Sequence, residues 1–350
     1  MTPPPTGLPR RDHVPAYDAG AKVAVVLPAL DEASTVGSVV AGIPRRMPGV
    51  DSVEVIVVDD GSTDETGERA AAAGADRIIR HPRRRGLVAT FNRGVSEALA
   101  AGADVVVHLD SDGQHDPAYI PQLIAPILER RADIVVGVRP LARAREMPWP
   151  RRLGNRLGSW FFGSLLRLRV SDFTSGFRAL SRDAVLRLHL VSDYTHTVES
   201  LIQAARLHLS VAEVPVPVIE RRHGESRMTR SLVHYIGRTG GQAVRSLIHG
   251  RPLSVFGRAA LAMLVLTTAF TGWFLFGYRS GGMHLPSLLA ALLAGIFAVG
   301  FFAAGLIADG VNSNRRLLED ALYRIKAMES ALAAERRTPE SASAAPPRAA

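Results

Sequence analysis

Five runs of β-branched and aliphatic residues recur along the first part of this chain, at Val23–Leu27, Val53–Val58, Arg77–Ile79, Val105–Leu109 and Ile134–Val138. Stretches with helical periodicity lie between them, at Ser34–Ile43, Thr63–Ala73, Leu87–Ala101 and Tyr119–Arg130. Strands that are apolar on both faces must be covered on both faces, and their alternation with helices supplies that cover. The expected fold class is therefore α/β, with a mostly parallel sheet between helical layers. No internal repeat is visible.

Two of the runs stop at acidic motifs. Val57-Val58-Asp59-Asp60-Gly61-Ser62 ends the second, and His108-Leu109-Asp110-Ser111-Asp112-Gly113-Gln114 ends the fourth, fifty residues further on. In open α/β sheets ligands bind outside the carboxyl ends of the strands. Several carboxylates gathered there repel one another unless a cation or ligand donors compensate. Asp110-x-Asp112 suits a hard divalent cation, since Mg²⁺ takes one or two carboxylates and completes its shell with water and substrate phosphates. Singly, either motif is also ordinary turn chemistry. Their joint occurrence at two strand ends points to a site.

The net charge of +9 over 350 residues is carried almost wholly by arginine. That balance suits a partner bearing phosphates, or an anionic membrane face. Nucleic acid is not expected, because the arginines form no single basic arm and no nucleic-acid motif is present. The chain has no cysteine, which excludes disulfides and thiolate metal sites. Histidines 81, 108, 115, 189, 196, 208 and 223 show no zinc-site spacing. The N-terminus has no apolar stretch of the signal-peptide kind. Residues 1–20 and 337–350, rich in Pro, Ala and Ser, are expected to be disordered tails.

Ala259–Tyr278 and Leu285–Ala308 are uncharged over 20 and 24 residues and are separated by six. Each is long enough to cross a hydrocarbon core of about 30 Å. Arg245, Arg251 and Arg258 precede the first stretch, and Arg315, Arg316, Arg324 and Lys326 follow the second. The connection holds Arg279 alone, so the positive-inside rule puts both ends, and the α/β domain, on the cytoplasmic side of the cell membrane. Trp149–Val170 and Ser231–His249 mix arginine with aromatic and aliphatic residues and read as helices lying at headgroup level. Beyond the second span, Leu318, Leu322, Ile325 and Leu332 share one stripe, spaced by four, three and seven. That stripe implies either a homo-oligomer or packing back on the α/β domain.

Further ordered motifs extend the pattern. They are Leu27-Pro28-Ala29-Leu30-Asp31-Glu32, the Asp59–Asp64 and Asp110–His115 segments, Thr174-Ser175-Gly176-Phe177-Arg178 and Arg222-His223-Gly224-Glu225-Ser226. On these residues the segment from Val23 to Ser226 resembles a family 2 glycosyltransferase of GT-A fold, in the dolichyl- or polyprenyl-phosphate sugar transferase branch. The resemblance implies a catalytic domain at 21–228 and a juxtamembrane segment at 229–257. A two-helix transmembrane hairpin at 258–309 and a cytoplasmic helix at 310–336 would follow.

It also implies roles. Asp110, Asp112 and Gln114 would hold Mg²⁺ or Mn²⁺. Asp59 or Asp60 would recognise the nucleoside, with Pro28, Asp31 and Glu32 in the loop touching base and ribose. Asp110, Ser111 and Gly86 would complete the donor site. Leu30-Asp31-Glu32 replaces the family's usual Tyr-Asn-Glu, which leaves a UDP- or GDP-linked donor open. Arg139, Arg151, Ser175 and Arg178 would cradle the acceptor phosphate, and Asp172 would be a base, an orienting group or a turn cap. Asp112, Asp172 and Arg178 are the catalytic candidates. The His223-Gly224-Glu225 loop would close over donor or acceptor, or serve only as a polar loop.

The function so implied is inverting, metal-dependent transfer of one sugar from a nucleotide sugar to polyprenyl phosphate. A processive polysaccharide synthase would need a Gln-x-x-Arg-Trp motif and more spans, and neither is visible. A silent membrane scaffold would not need the Asp110-x-Asp112 pair.

Overall fold

The computed structural model describes residues 20–138, 170–173, 175–188, 196–217, 252–280 and 285–337. The anticipated tails, both surface segments, the His223-Gly224-Glu225 loop, Thr174, Arg139 and Arg151 lie outside the described residues. Two compact units form, one of residues 1–225 with 322–350 and the other of residues 226–321.

The first unit is built on seven strands: β1 (Ala21–Ala29), β2 (Val50–Asp59), β3 (Arg77–Arg80), β4 (Val105–His108), β5 (Ile134–Val138), β6 (Arg178–Ser181) and β7 (Val211–Pro215). Their order in the sheet is β3-β2-β1-β4-β6-β5-β7. β1 pairs in parallel with β2 and β4, as do β2 with β3 and β5 with β7. β6 runs antiparallel between β4 and β5. The sheet is thus mixed but mostly parallel, as in the GT-A fold. Helices α1 (Val36–Gly42), α2 (Thr66–Ala72), α3 (Leu87–Ala100), α4 (Ile120–Leu128), α5 (Arg182–Arg187) and α6 (His196–Arg206) accompany it.

The strand sequences show why they are central. Every residue of β4 and β5 is buried, and β1 is buried from Val23 onward. One face packs Val25, Leu27, Val55, Val57 and Val107 against Ile120, Ile124 and Ile127. On α3, Gly94 meets Val26 so closely that a Cβ there would overlap the Val26 side chain and stand 3.1 Å from Val58 Cγ2. This glycine lies in mid-helix and serves helix–sheet contact.

The second unit contains α7 (Pro252–Arg279) and the first part of α8 (Leu285–Arg337). The second apolar span and the helix expected after it are a single helix of 53 residues. Both α7 and α8 are long and apolar enough to cross a membrane. Their buried positions are small, at Ala260, Ala291, Ala294 and Ala298, whereas Leu264, Phe276, Ile296 and Val299 are exposed. Small residues inside and large apolar ones outside is the arrangement of helices solvated by lipid.

Candidate active site

The chain passes from β1 to β2 on one side and later reaches β4 on the other. This change of direction leaves a crevice beyond the carboxyl ends of β1, β2 and β4, where open α/β sheets receive ligands. Three loops enter it, at 30–33, 60–66 and 109–114. β6 brings a fourth, because its antiparallel entry sets Arg178 opposite His108.

The first two loops are fastened together. Asp31 adopts φ 54°, a left-handed conformation that Asn and Asp tolerate better than most residues. Its N–H donates to Ser62 Oγ at 3.0 Å, and its Oδ1 accepts from the Thr63 N–H at 2.9 Å. The Glu32 N–H donates to Thr66 Oγ1 at 2.9 Å, and the Glu32 carboxylate accepts from the Thr35 hydroxyl at 3.1 Å. Aspartate thus retains what asparagine offers at this position, tolerance of positive φ and an acceptor oxygen.

Asp59 and Asp60 are both buried, and each organises a separate turn. Asp59 Oδ1 accepts from the Ser62 N–H at 2.7 Å, while Oδ2 lies 3.4 Å from Arg80 Nε. Asp60 accepts from the N–H groups of Arg85 and Gly86 at 2.8 and 2.9 Å, and contacts His81 Nδ1 at 2.9 Å. Burial works against its ionisation. The donors from His81, Arg85, Gly86 and Thr90 outweigh that and hold its carboxyl below the usual value. Gly86, at φ 94°, is the N-cap of α3.

Asp110 and Asp112 are partly exposed just beyond β4, with buried Ser111 between them donating to Pro28 O at 2.8 Å. That bond locks the loop to the end of β1 and leaves the flanking carboxylates near the crevice. Asp112 Oδ1 accepts from the Gln114 N–H at 3.0 Å. Gly176 lies so near Asp110 that a Cβ would fall 2.5 Å from Oδ2. No group of three or more metal-binding side chains occurs among the described residues. Two carboxylates with an open remainder fit Mg²⁺ or Mn²⁺, whose shells are completed by phosphate and water.

Ser175, Arg178 and Asp172 are buried behind this pair. Arg178 Nε donates to Ser175 O at 2.8 Å, and one terminal nitrogen donates to Phe173 O at 3.0 Å. The other terminal nitrogen donates to Thr197 O at 2.5 Å and Ser200 Oγ at 2.6 Å. Burial lowers its pKa to about 10, against the opposing pull of Asp172 and Asp110. The guanidinium therefore ties the 173–176 turn to α6, and its surroundings favour a positioning role over contact with acceptor phosphate. Nearby, burial raises the pKa of Glu213, which accepts from the Ser171 hydroxyl at 3.0 Å.

The structure thus brings Pro28, Asp31, Glu32, Asp59, Asp60, Gly86, Asp110, Ser111, Asp112 and Gln114 to one end of the sheet. Two histidines of this region went unread as site residues. His108 Nδ1 donates to Gly176 O at 2.7 Å, and burial lowers its pKa to about 4, so the ring is neutral. His81 supports Asp60. The available signal was a lone polar ring at the end of each apolar run.

Residues 24–188 match glycosyl transferase family 2. Undecaprenyl-phosphate mannosyltransferase of Micrococcus luteus is 31% identical over 222 residues, which cover 61% of this chain and 89% of that protein. Polyprenol monophosphomannose synthase of Mycolicibacterium smegmatis is 30% identical over 218 residues, covering 59% and 81%. Among solved structures, glucosyl-3-phosphoglycerate synthase of Mycobacterium tuberculosis, in complex with Mn²⁺, UDP-glucose and phosphoglyceric acid, aligns with a TM-score of 0.51. The identity is 28%, over 67% of this chain and 81% of that one. Sheet order, the carboxylate-lined crevice and these relatives agree: the chain belongs to glycosyl transferase family 2 and is a glycosyltransferase.

Proposed function

We propose that this protein transfers a single sugar, with inversion, from a UDP- or GDP-linked donor to a polyprenyl phosphate at the cytoplasmic face of the membrane. The observation that carries the reading is the union, in one chain, of the acidic crevice with two helices whose large apolar side chains face outward. The names of the two relatives, one an undecaprenyl-phosphate mannosyltransferase, support a lipid phosphate as acceptor. Arginines at both outer ends of the helix pair support a cytoplasmic catalytic domain.

The chemistry asks little of a base. A phosphate monoester is largely dianionic at pH 7, since its second pKa is near 6. One of its oxygens attacks the anomeric carbon, the carbon–oxygen bond to the nucleoside diphosphate breaks, and the diphosphate leaves with that electron pair. Asp110 and Asp112 would hold Mg²⁺ or Mn²⁺, which when bound supplies positive charge to the departing diphosphate. Asp59 and Asp60 shape the nucleoside end by fixing the 60–66 and 81–86 turns. Arg139, Arg151 and Ser175 are the proposed acceptor-phosphate contacts, and Arg178 positions the turn that carries Ser175. Asp172, buried close to Arg178, is an orienting group.

The test is a panel of UDP- and GDP-sugars offered to purified protein with a short-chain polyprenyl phosphate. One donor should give a chloroform-extractable sugar lipid, and EDTA should abolish it. Transfer that persists in EDTA would remove the metal from the proposal.

A further inference from the structure

We propose that the part of α8 beyond the membrane span is a parallel coiled-coil seam that pairs with the same helix of a second copy. The inference rests on the reading that α8 crosses the bilayer. A seven-residue repeat runs through the helix. Its first core position is filled by Val311, Leu318, Ile325 and Leu332, whose exposures are 62, 64, 47 and 55%. The second core position is filled by Asn314, Ala321 and Met328, and all three are exposed as well. The resulting three-four spacing is unbroken from 311 to 332, just over the three heptads that mark a coiled coil. A strict seven-residue repeat keeps one stripe facing a partner helix through a left-handed supercoil.

The opposite face of the same segment is already occupied. Tyr323 donates to Asp183 at 3.2 Å and lies under the Arg187 guanidinium. Lys326 Nζ donates to Leu188 O at 3.2 Å, and Ser330 Oγ donates to Leu99 O at 3.2 Å. These residues hold the helix on its own catalytic domain and turn the apolar seam outward. The stripe of Leu318, Leu322, Ile325 and Leu332 therefore does not itself pack back on the catalytic domain, because the opposite face does so.

Direction and register follow from two further facts. Identical chains inserted in one topology carry their spans, and the helices that continue them, in parallel. In a parallel in-register pair, the residue before one core position meets the residue five further on in the partner helix. Leu317 then faces Leu322 of the second copy, and Arg324 faces its Glu329. The first pair widens the apolar seam, and the second joins opposite charges twice across the two-fold axis.

Because the chain has no cysteine, single cysteines can be introduced without background. In membranes, Leu318→Cys, Ile325→Cys and Leu332→Cys should each give disulfide-linked dimer on mild oxidation. Yields should exceed those of exposed off-seam Ser313→Cys and Asp320→Cys at least tenfold. Arg324→Glu should lower the yield of Leu318→Cys several-fold, and adding Glu329→Arg should restore it. Equal linking at all five positions, linking at only one of the three seam positions, or no linking would each overturn the proposal. Cross-linking needs neither donor nor acceptor, so a protein that links but transfers no sugar would refute the proposed function and leave the seam intact.

Discussion

Arg178→Ala separates two roles for this arginine, an acceptor-phosphate contact and a buried clamp. The clamp holds four acceptors: Ser175 O, Phe173 O, Thr197 O and Ser200 Oγ. A hydrogen bond to a charged group is worth about 1.5–3 kcal/mol net, but such terms do not add when the bonds share one side chain. Burial opposes the charge, as the lowered pKa of about 10 shows, and this offsets part of the gain. Removing one partner of a buried charge pair costs about 3–5 kcal/mol, and buried Asp172 would lose the attraction of this guanidinium. At 2–4 °C per kcal/mol for a domain of this size, the unfolding midpoint should fall by about 10 °C. Arg178→Lys should be intermediate, since one ammonium cannot span acceptors spread over the 173–176 turn and α6. Thermal unfolding in mild detergent measures the midpoint, and hydrogen exchange across residues 173–177 reports the loosened turn. An Arg178→Ala protein with a native midpoint and native protection, but a raised KM for polyprenyl phosphate alone, would refute the clamp.

Asp110→Asn and Asp112→Asn should each abolish transfer while keeping the unfolding midpoint, because neither carboxylate is buried; measurable turnover in either variant would move the metal site elsewhere. His108 is depressed from 6.5 to about 4, so between those values the unfolded chain takes up a proton that the folded chain refuses. The stabilisation is therefore complete above about pH 6.5 and is lost as pH falls toward 4, amounting to on the order of 3 kcal/mol; His108→Gln should flatten that slope in urea unfolding followed from pH 7 to 4.5. Reporters fused after residue 350 and inserted near Gly282 should lie on opposite sides of the membrane, and the same side for both would refute the two-span hairpin.

Four of the five strands that read clearly from sequence are largely buried on both faces, and their β-branched runs carry the signal; β3, half-buried at the sheet edge, carries it in Ile78 and Ile79. β6 was missed because its four residues, Arg-Ala-Leu-Ser, include no β-branched side chain, and only pairing with β4 and β5 makes it a strand. β7 is not among the strands read from sequence, since Glu213 and Pro215 interrupt its apolar character. The junction of the second span and the helix after it looked like a boundary because charge begins at Asp309. Yet no proline follows, and Gly310 alone does not stop a helix. The acidic residues of the crevice were legible from their places at strand ends. The burial of Arg178 was not, because Thr197 and Ser200 lie 19 and 22 residues away and meet it only through the packing of α6 on the sheet.

The central claim is that a lipid phosphate, and not a hydroxyl, receives the sugar. It is tested most directly by offering the purified full-length protein one radiolabelled nucleotide sugar with three acceptors in parallel: a polyprenyl phosphate, the matching polyprenol and phosphoglyceric acid. Label should enter the chloroform phase with polyprenyl phosphate alone, released by mild acid as the free sugar, and Asp112→Asn should give none. Comparable transfer to the polyprenol, or a water-soluble product from phosphoglyceric acid, would contradict the account.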